Sequence, residues 1–170
     1  MSILMFIQEN LRSGFTDAFF TFVTHLGDAG VVWILIGVGL LCSKKTRLWG
    51  WSLLFSLLFA YCIGDLVIKN IVQRPRPFAG LEIDLLIAAP TSFSFPSGHS
   101  GSSFASATAL FLCNKKWGAA ALVLAALIAF SRMYLFVHYP TDVLCGALLG
   151  VATAFAVHWW FFKREKVTAK

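Results

Sequence analysis

Long apolar runs, broken by short polar or basic clusters, organise this chain, and the period and length of each run predict its structure. Residues 1 to about 27 are amphipathic. Ile3, Leu4, Phe6 and Ile7 stand against Gln8, Glu9, Asn10 and Arg12. Phe15, Ala18, Phe19, Phe22 and Val23 stand against Thr16, Asp17, Thr21 and Thr24, all at helical spacing. Asp17 and the Gln8-Glu9-Asn10 group disfavour a clean span, so one or two helices lying in the membrane interface are expected, with a distorted first span as the alternative. Leu26-Gly27-Asp28-Ala29-Gly30 reads as a turn. Residues 31–42 are apolar but short for a span, and Ser43-Lys44-Lys45-Thr46-Arg47 ends them. A long run from 48 to about 72 follows. Its Asp65 and Lys69 are four apart, so they share a helix face and can pair.

Arg74-Pro75-Arg76-Pro77 cannot continue that helix, and it opens a loop reaching Phe95. Within the loop, residues 81–87 place Glu82 and Asp84 among Leu81, Ile83, Leu85 and Leu86, which predicts an amphipathic flap on the bilayer surface; loops of this length are often lids. Pro96-Ser97-Gly98-His99-Ser100 starts a helix running to about Cys113. A basic turn, Asn114-Lys115-Lys116, precedes two further apolar runs, 117–137 and 140–162, and the chain closes on a basic tail from Lys163.

Composition sharpens this into a class. Of 170 residues, 58% are hydrophobic and only 13% charged, with a mean hydropathy of +0.77. A water-soluble domain of this size carries more polar surface. The expectation is an all-α, polytopic membrane helix bundle forming a single domain over residues 1–170, with about five to six transmembrane helices plus an N-terminal interfacial helix. The net charge of +6 is no signal for nucleic acid, because the basic residues cluster at the ends of apolar runs. Lys44, Lys45, Arg47, Lys115, Lys116 and the tail fall at alternate turns, which the positive-inside rule assigns to the cytoplasm. Trp49, Trp51, Trp117, Trp159 and Trp160 mark the same boundary. Cys42, Cys62, Cys113 and Cys145 lie in or beside apolar runs without paired metal spacing and read as small packing residues. No basic leader followed by a cleavage site is evident.

The same alternation gathers the unusual polar residues at the opposite, outer face: Lys69, Arg74, Arg76, residues 96–100, Arg132, His138 and Asp142. Titratable groups at that depth are costly unless they face a cavity. Pro140 suits the first turn of a helix. Asp142 then sits where the dipole favours a carboxylate and can reach back to His138, a base-plus-orienter pair. Ser97-Gly98-His99 at a helix start offers unpaired N–H groups as an anion seat, and Gly98 permits close approach. Lys69, Arg76 and Arg132 add three cations, the arginines suited to two-point contacts with phosphate oxygens. Each residue alone has a plainer explanation: a headgroup anchor for Arg74 or Arg76, snorkelling for Lys69, an N-cap for Ser97. Those explanations leave two histidines and three cations on one side unaccounted for. No Asp/Glu/His cluster suits a two-metal site, so a histidine is expected to supply the nucleophile. His25 and His158 read as interfacial residues without a role.

Lys69-x6-Arg76-Pro77, Pro96-Ser97-Gly98-His99 and Ser131-Arg132-x5-His138-x3-Asp142, in that order, resemble the three-part signature of the type-2 phosphatidic acid phosphatase family. Its superfamily includes bacterial non-specific acid phosphatases, glucose-6-phosphatase and vanadium haloperoxidases. The resemblance implies that His138 forms a phosphohistidine, Asp142 orients it, and His99 protonates the leaving oxygen and then activates water. It also implies that Lys69, Arg76, Arg132, Ser97 and the Gly98 N–H bind the phosphoryl oxygens, and it implies no metal and no cofactor. Asp65 and Arg74 lie outside the signature; Asp65 is expected to orient Lys69. The expected substrate is a lipid phosphate such as undecaprenyl pyrophosphate, phosphatidylglycerophosphate or phosphatidate. It would be reached laterally from membrane lipid at the extracytoplasmic side of a bacterial inner membrane, with no nucleic acid and no obligate protein partner. Alternatives are a lipid A phosphatase, a haloperoxidase, which the spans disfavour, and a non-catalytic lipid binder or flippase on the same scaffold.

Overall fold

A computed structural model describes the backbone of residues 2–168 and the side chains of residues 3–162. The side chains of the basic tail from Lys163 on lie outside the described residues. Within them the fold is all-helical. Helix α1 is Ser2–Asn10, α2 Gly14–Leu26 and α3 Val31–Leu41, with a short 3₁₀ turn, Asp28–Gly30, between α2 and α3. Helix α4, Arg47–Tyr61, continues through a π-wound stretch, Cys62–Ile68, into α5, Lys69–Val72. After the long loop come α6 (Gly98–Cys113), α7 (Lys115–Tyr134) and α8 (Pro140–Thr168).

Helix α6 is the centre, packed against α4, α7 and α8. Its buried face is Ser100, Gly101, Ser103, Ala105, Ser106, Ala107, Thr108, Ala109 and Leu110. Small side chains let neighbouring backbones approach closely, which is how helices associate where lipid removes the hydrophobic drive between them. The tightest approach is to α8. A Cβ on Gly146 would stand 2.5 Å from the Ser97 carbonyl oxygen, and one on Gly150 2.3 Å from that of Gly101. Elsewhere larger groups fill the gaps: Val23, Trp33, Leu53, Leu110 and Ile128 belong to one apolar core, and the Trp33 indole N–H donates to Ser103 Oγ at 3.0 Å. A second cluster at the site end joins Ile7, Tyr134, Leu135 and Val137 to Phe20, Phe78, Leu85, Leu86 and Ile87.

Several expectations are revised. Among the described residues three helical stretches, Arg47–Val72, Lys115–Tyr134 and Pro140–Phe162, are long and apolar enough to cross a membrane; α2 with α3 makes a fourth if that pair, bent by 46°, counts as one span. The sequence pattern suggested five to six. The 16-residue α6 is shorter than these stretches, is packed against other helices and carries serine and glycine on its buried face. The N-terminal segment is two helices, as expected, but α1 buries Leu4 and Ile7 completely or nearly so. Gln8 Nε2 donates to the Tyr134 carbonyl at 2.7 Å, tying α1 to the bundle. The 81–87 flap is not a free surface element: Leu85, Leu86 and Ile87 dock on the second cluster while Glu82 and Asp84 stay exposed.

Gly150→Val forces α6 and α8 apart. A loss of about 1–3 kcal/mol of stability is expected for overpacking of this kind, read as a lowered unfolding midpoint in detergent; an unchanged midpoint contradicts the close approach.

Candidate active site

The site is assembled where α4/α5, α6, α7 and α8 meet. The π-wound stretch before Lys69 is a rare geometry that recurs at functional sites. Lys69 is 7% exposed and pairs through Nζ with Asp65 Oδ1, the partner expected from their spacing. Asp65 lies against the start of α6: a Cβ on Gly98 would stand 2.7 Å from Asp65 Oδ1, so a larger residue there would have to displace the carboxylate. Ser97 caps α6, its Oγ accepting from the Ser100 N–H at 3.4 Å. Its own N–H donates to the Asp142 carbonyl at 3.0 Å, which locks the starts of α6 and α8 together.

His138 sits in the turn between α7 and α8, 2% exposed. That turn passes through Phe136 at φ 60, a left-handed residue held by complete burial of its ring. Val137 and His138 both donate backbone N–H groups to the Arg132 carbonyl, at 3.1 and 3.2 Å, so Arg132 and His138 are fixed to each other. Pro140 opens α8 and Asp142 lies in its first turn, as its position suggested. The fully buried Asp142 carboxylate accepts from the Tyr139 N–H at 2.9 Å, from Ser94 Oγ at 2.5 Å and from Arg74 Nη1 at 2.7 Å. Its Oδ2 stands 3.5 Å from His138 Nδ1, and Ser94 Oγ stands 3.4 Å from that nitrogen.

The tautomer of His138 follows from donors and acceptors. Arg76 Nη1 lies 3.3 Å from His138 Nε2, and a guanidinium only donates. Nε2 is therefore the lone-pair nitrogen and Nδ1 carries the proton, facing Ser94 and Asp142. Arg76 is held by the Val137 carbonyl at 3.0 Å and by the Ser92 carbonyl and hydroxyl at 2.7 and 3.1 Å. Burial pulls its guanidinium down to about 10, still charged at neutral pH. Burial also pushes the His138 imidazolium well below its ordinary range; Arg76 and Arg132 push the same way, and Asp142 opposes them.

Arg132, 4% exposed, donates from Nη1 to Thr24 Oγ1 at 2.5 Å, while its buried Nε has no partner among the described residues. An orphan donor of this kind marks a place for an acceptor that arrives from outside. His99 Nε2 is 3.0 Å from Asp28 Oδ1, and Asp28 Oδ2 is 2.7 Å from His25 Nδ1.

One cavity of about 620 Å³ is lined by Asp65, Lys69, Arg76, Gly98, His99, Arg132 and His138 at its polar end, and by Ile34, Leu54, Leu57, Leu58 and Tyr61 along an apolar arm. The three predicted cations and both predicted imidazoles thus share one space. Ser97 and Asp142 do not line it; they act on the walls. Sequence reasoning missed Ser94, Thr24 and Asp28 and underrated Arg74, whose guanidinium also stacks 4.0 Å over the Tyr139 ring. The Arg-Pro-Arg-Pro run and a carboxylate in an apolar turn were the available signals for Arg74 and Asp28. His25, expected to be idle, contacts Asp28. Among the described residues no three His, Cys, Asp or Glu side chains gather as metal ligands.

A helical bundle enclosing two imidazoles and three cations defines a phosphate-handling class. A family model described as the PAP2 superfamily matches residues 49–166, more than half the chain, and the chain belongs to that superfamily. An undecaprenyl-diphosphatase of Sulfolobus acidocaldarius is 37% identical over 121 residues, 70% of this chain and 58% of that protein. Phosphatidylglycerophosphatase B of Bacillus subtilis is 33% identical over 162 residues, 86% of this chain and 76% of that protein. The chain spans 58% of the length of the first two curated relatives it matches. The crystal structure of Aquifex aeolicus LpxE is similar with a TM-score of 0.79 at 30% identity, covering 92% of each chain. That of a PAP2 type phosphatidylglycerolphosphate phosphatase from Bacillus subtilis gives 0.75 at 28%, covering 95% of this chain and 86% of that one.

Because its folded-state pKa is lowered, His138 is expected to remain neutral, with the proton on Nδ1, at pH 6, below the ordinary histidine value of about 6.5. Spectra of ¹⁵N-histidine protein, assigned with His138→Gln, check this; a doubly protonated His138 ring at pH 6 contradicts it.

Proposed function

We propose that the protein is a multi-pass membrane phosphatase that hydrolyses a lipid phosphate monoester or pyrophosphate of the undecaprenyl pyrophosphate, phosphatidylglycerophosphate or phosphatidate class. The observation that carries this reading is the single cavity joining Lys69, Arg76, Arg132, His99 and His138 to an apolar arm. The polar end suits a phosphoryl group. Ile34, Leu58 and Tyr61, 41%, 51% and 51% exposed, put the apolar arm beside lipid, so a hydrophobic leaving group has lateral access along α3 and α4. The names of the relatives, an undecaprenyl-diphosphatase and a phosphatidylglycerophosphatase, support the substrate class. An extracytoplasmic site is supported by charge: Arg47 and Lys115 begin α4 and α7, whereas Lys69 and Arg132 lie near the other ends of those helical stretches.

The reaction runs in two halves. His138 attacks phosphorus through Nε2, the bond from phosphorus to the leaving oxygen breaks, and His99 gives that oxygen a proton. The products are the lipid alcohol, or lipid monophosphate from a pyrophosphate, and a phosphohistidine. Neutral His99 then takes a proton from water as the water oxygen attacks phosphorus. The P–N bond breaks, inorganic phosphate leaves, and His99 is protonated again. Asp142 and Ser94 hold Nδ1–H and balance the positive charge on His138 while Nε2 is phosphorylated. Lys69, Arg76, Arg132 and the N–H groups opening α6 face the phosphoryl oxygens. Their positions are set before the reaction, so they stabilise charge as it builds up without reorganising.

Purified protein in excess chelator is expected to release phosphate from at least one member of a panel of lipid monophosphates and pyrophosphates. His138→Ala is expected to lower that release at least about 1000-fold. Activity that vanishes on chelation and returns with metal, or that persists in His138→Ala, contradicts the mechanism.

A further inference from the structure

The turn between α2 and α3 lies outside the residues matched by the family model and outside the three motifs. It nevertheless forms a wall of the cavity through Gly27, Ala29 and Gly30. Ala29 and Gly30, at φ 49 and φ 68, bend the chain sharply enough to bring Asp28 over the start of α6. The fit is close: a Cβ on Gly27 would stand 2.7 Å from His99 Cδ2. Two side chains of this elbow reach the site. Thr24 accepts from Arg132, and Asp28 bridges His99 and His25, one carboxylate oxygen to each.

We propose that Asp28 is a positioning residue for His99, holding its ring through Nε2 so that Nδ1 is presented to the leaving oxygen and then to water, with His25 bracing the carboxylate from outside. This assignment rests on the phosphatase reading above. His99 Nδ1 has no protein partner among the described residues, as a nitrogen kept for substrate requires. The ring also lies within electrostatic reach of Arg132 on α7 and Asp65 on the α4 stretch. Burial, and after it Arg132, disfavours the imidazolium that must donate the first proton, and Asp28, in direct contact, is the main influence opposing them. The proton balance is unchanged: His99 gives one proton to the leaving group and regains one from water, while Asp28 stays ionised.

Two esters separate positioning from bulk structure. p-Nitrophenyl phosphate releases a weakly basic phenolate that needs little protonation, whereas phosphatidate with eight-carbon chains must release an alcohol. In Asp28→Asn, kcat on phosphatidate is expected to fall about 10- to 100-fold, within the range that general acid catalysis supplies, with KM changed less than about threefold. The first-turnover burst of p-nitrophenolate is expected to slow less than about threefold. Asp28→Glu, which retains the carboxylate, is expected to recover part of the phosphatidate turnover. His25→Gln, which leaves Asp28 in place but removes its brace, is expected to show a smaller loss on phosphatidate with the p-nitrophenolate burst unslowed, and it serves if Asp28→Asn does not fold. Equal slowing of the p-nitrophenolate burst and of phosphatidate turnover, or no loss on phosphatidate, overturns the role of Asp28. Wild-type protein that releases phosphate from neither ester nor from any lipid pyrophosphate of the panel overturns the phosphatase reading itself, and this assignment with it.

Discussion

Backbone-to-backbone contact between α6 and α8 is the constraint on which the site depends. Gly146 and Gly150 let α8 lie against the Ser97 and Gly101 carbonyls with no side chain between them. At the end of that seam the Ser97 N–H donates to the Asp142 carbonyl. The start of α6 and the carboxylate beside His138 are therefore one rigid piece. The turn carrying His138 hangs on the same piece through Asp142 and on α7 through the Arg132 carbonyl. Motifs separated by tens of residues become neighbours because two helices meet through glycines and small side chains.

Electrostatics sets the second condition. A buried charge in a largely apolar bundle must be paired or destabilise the fold. Asp142 is matched by Arg74, Asp65 by Lys69, and Arg76 is cradled by carbonyls. Arg132 is the incomplete case, since its Nε is buried and unpartnered. The surplus of positive charge around a cavity that also holds two imidazoles is what an incoming phosphoryl group would neutralise. Ground-state stability is thereby exchanged for affinity in one spot, while Ser94 and Tyr139 keep the Asp142 carboxylate aligned and leave Nε2 of His138 as the lone-pair nitrogen.

Much of the site was legible because its chemistry is local in sequence. Pro140 announced a helix start, Asp142 fell in its first turn, and Asp65 and Lys69 were one helical turn apart. The residues that escaped notice act across long separations. Ser94 reaches Asp142 across 48 positions, Asp28 reaches His99 across 71, and Thr24 reaches Arg132 across 108. No spacing rule connects such pairs; the long loop before α6 carries Ser94 in, and the packing of α2 and its turn into α3 carries Thr24 and Asp28. The number of spans is legible only in part for a related reason. Hydropathy reads apolar runs as lipid-facing, whereas α6, rich in serine, glycine and alanine, is enclosed by other helices. The π-wound stretch before Lys69 left no mark in the pattern at all.

The central claim is that one imidazole, His138, carries the phosphoryl group between two halves of the reaction. The most direct measurement is an alkaline rapid quench of protein mixed with ³²P-labelled lipid phosphate, followed by mapping of the labelled peptide. Label on the peptide containing His138, with the phosphorylated nitrogen identified as Nε2, is the expected result. Label on His99 or a serine, or turnover with no labelled protein at any time, would contradict it.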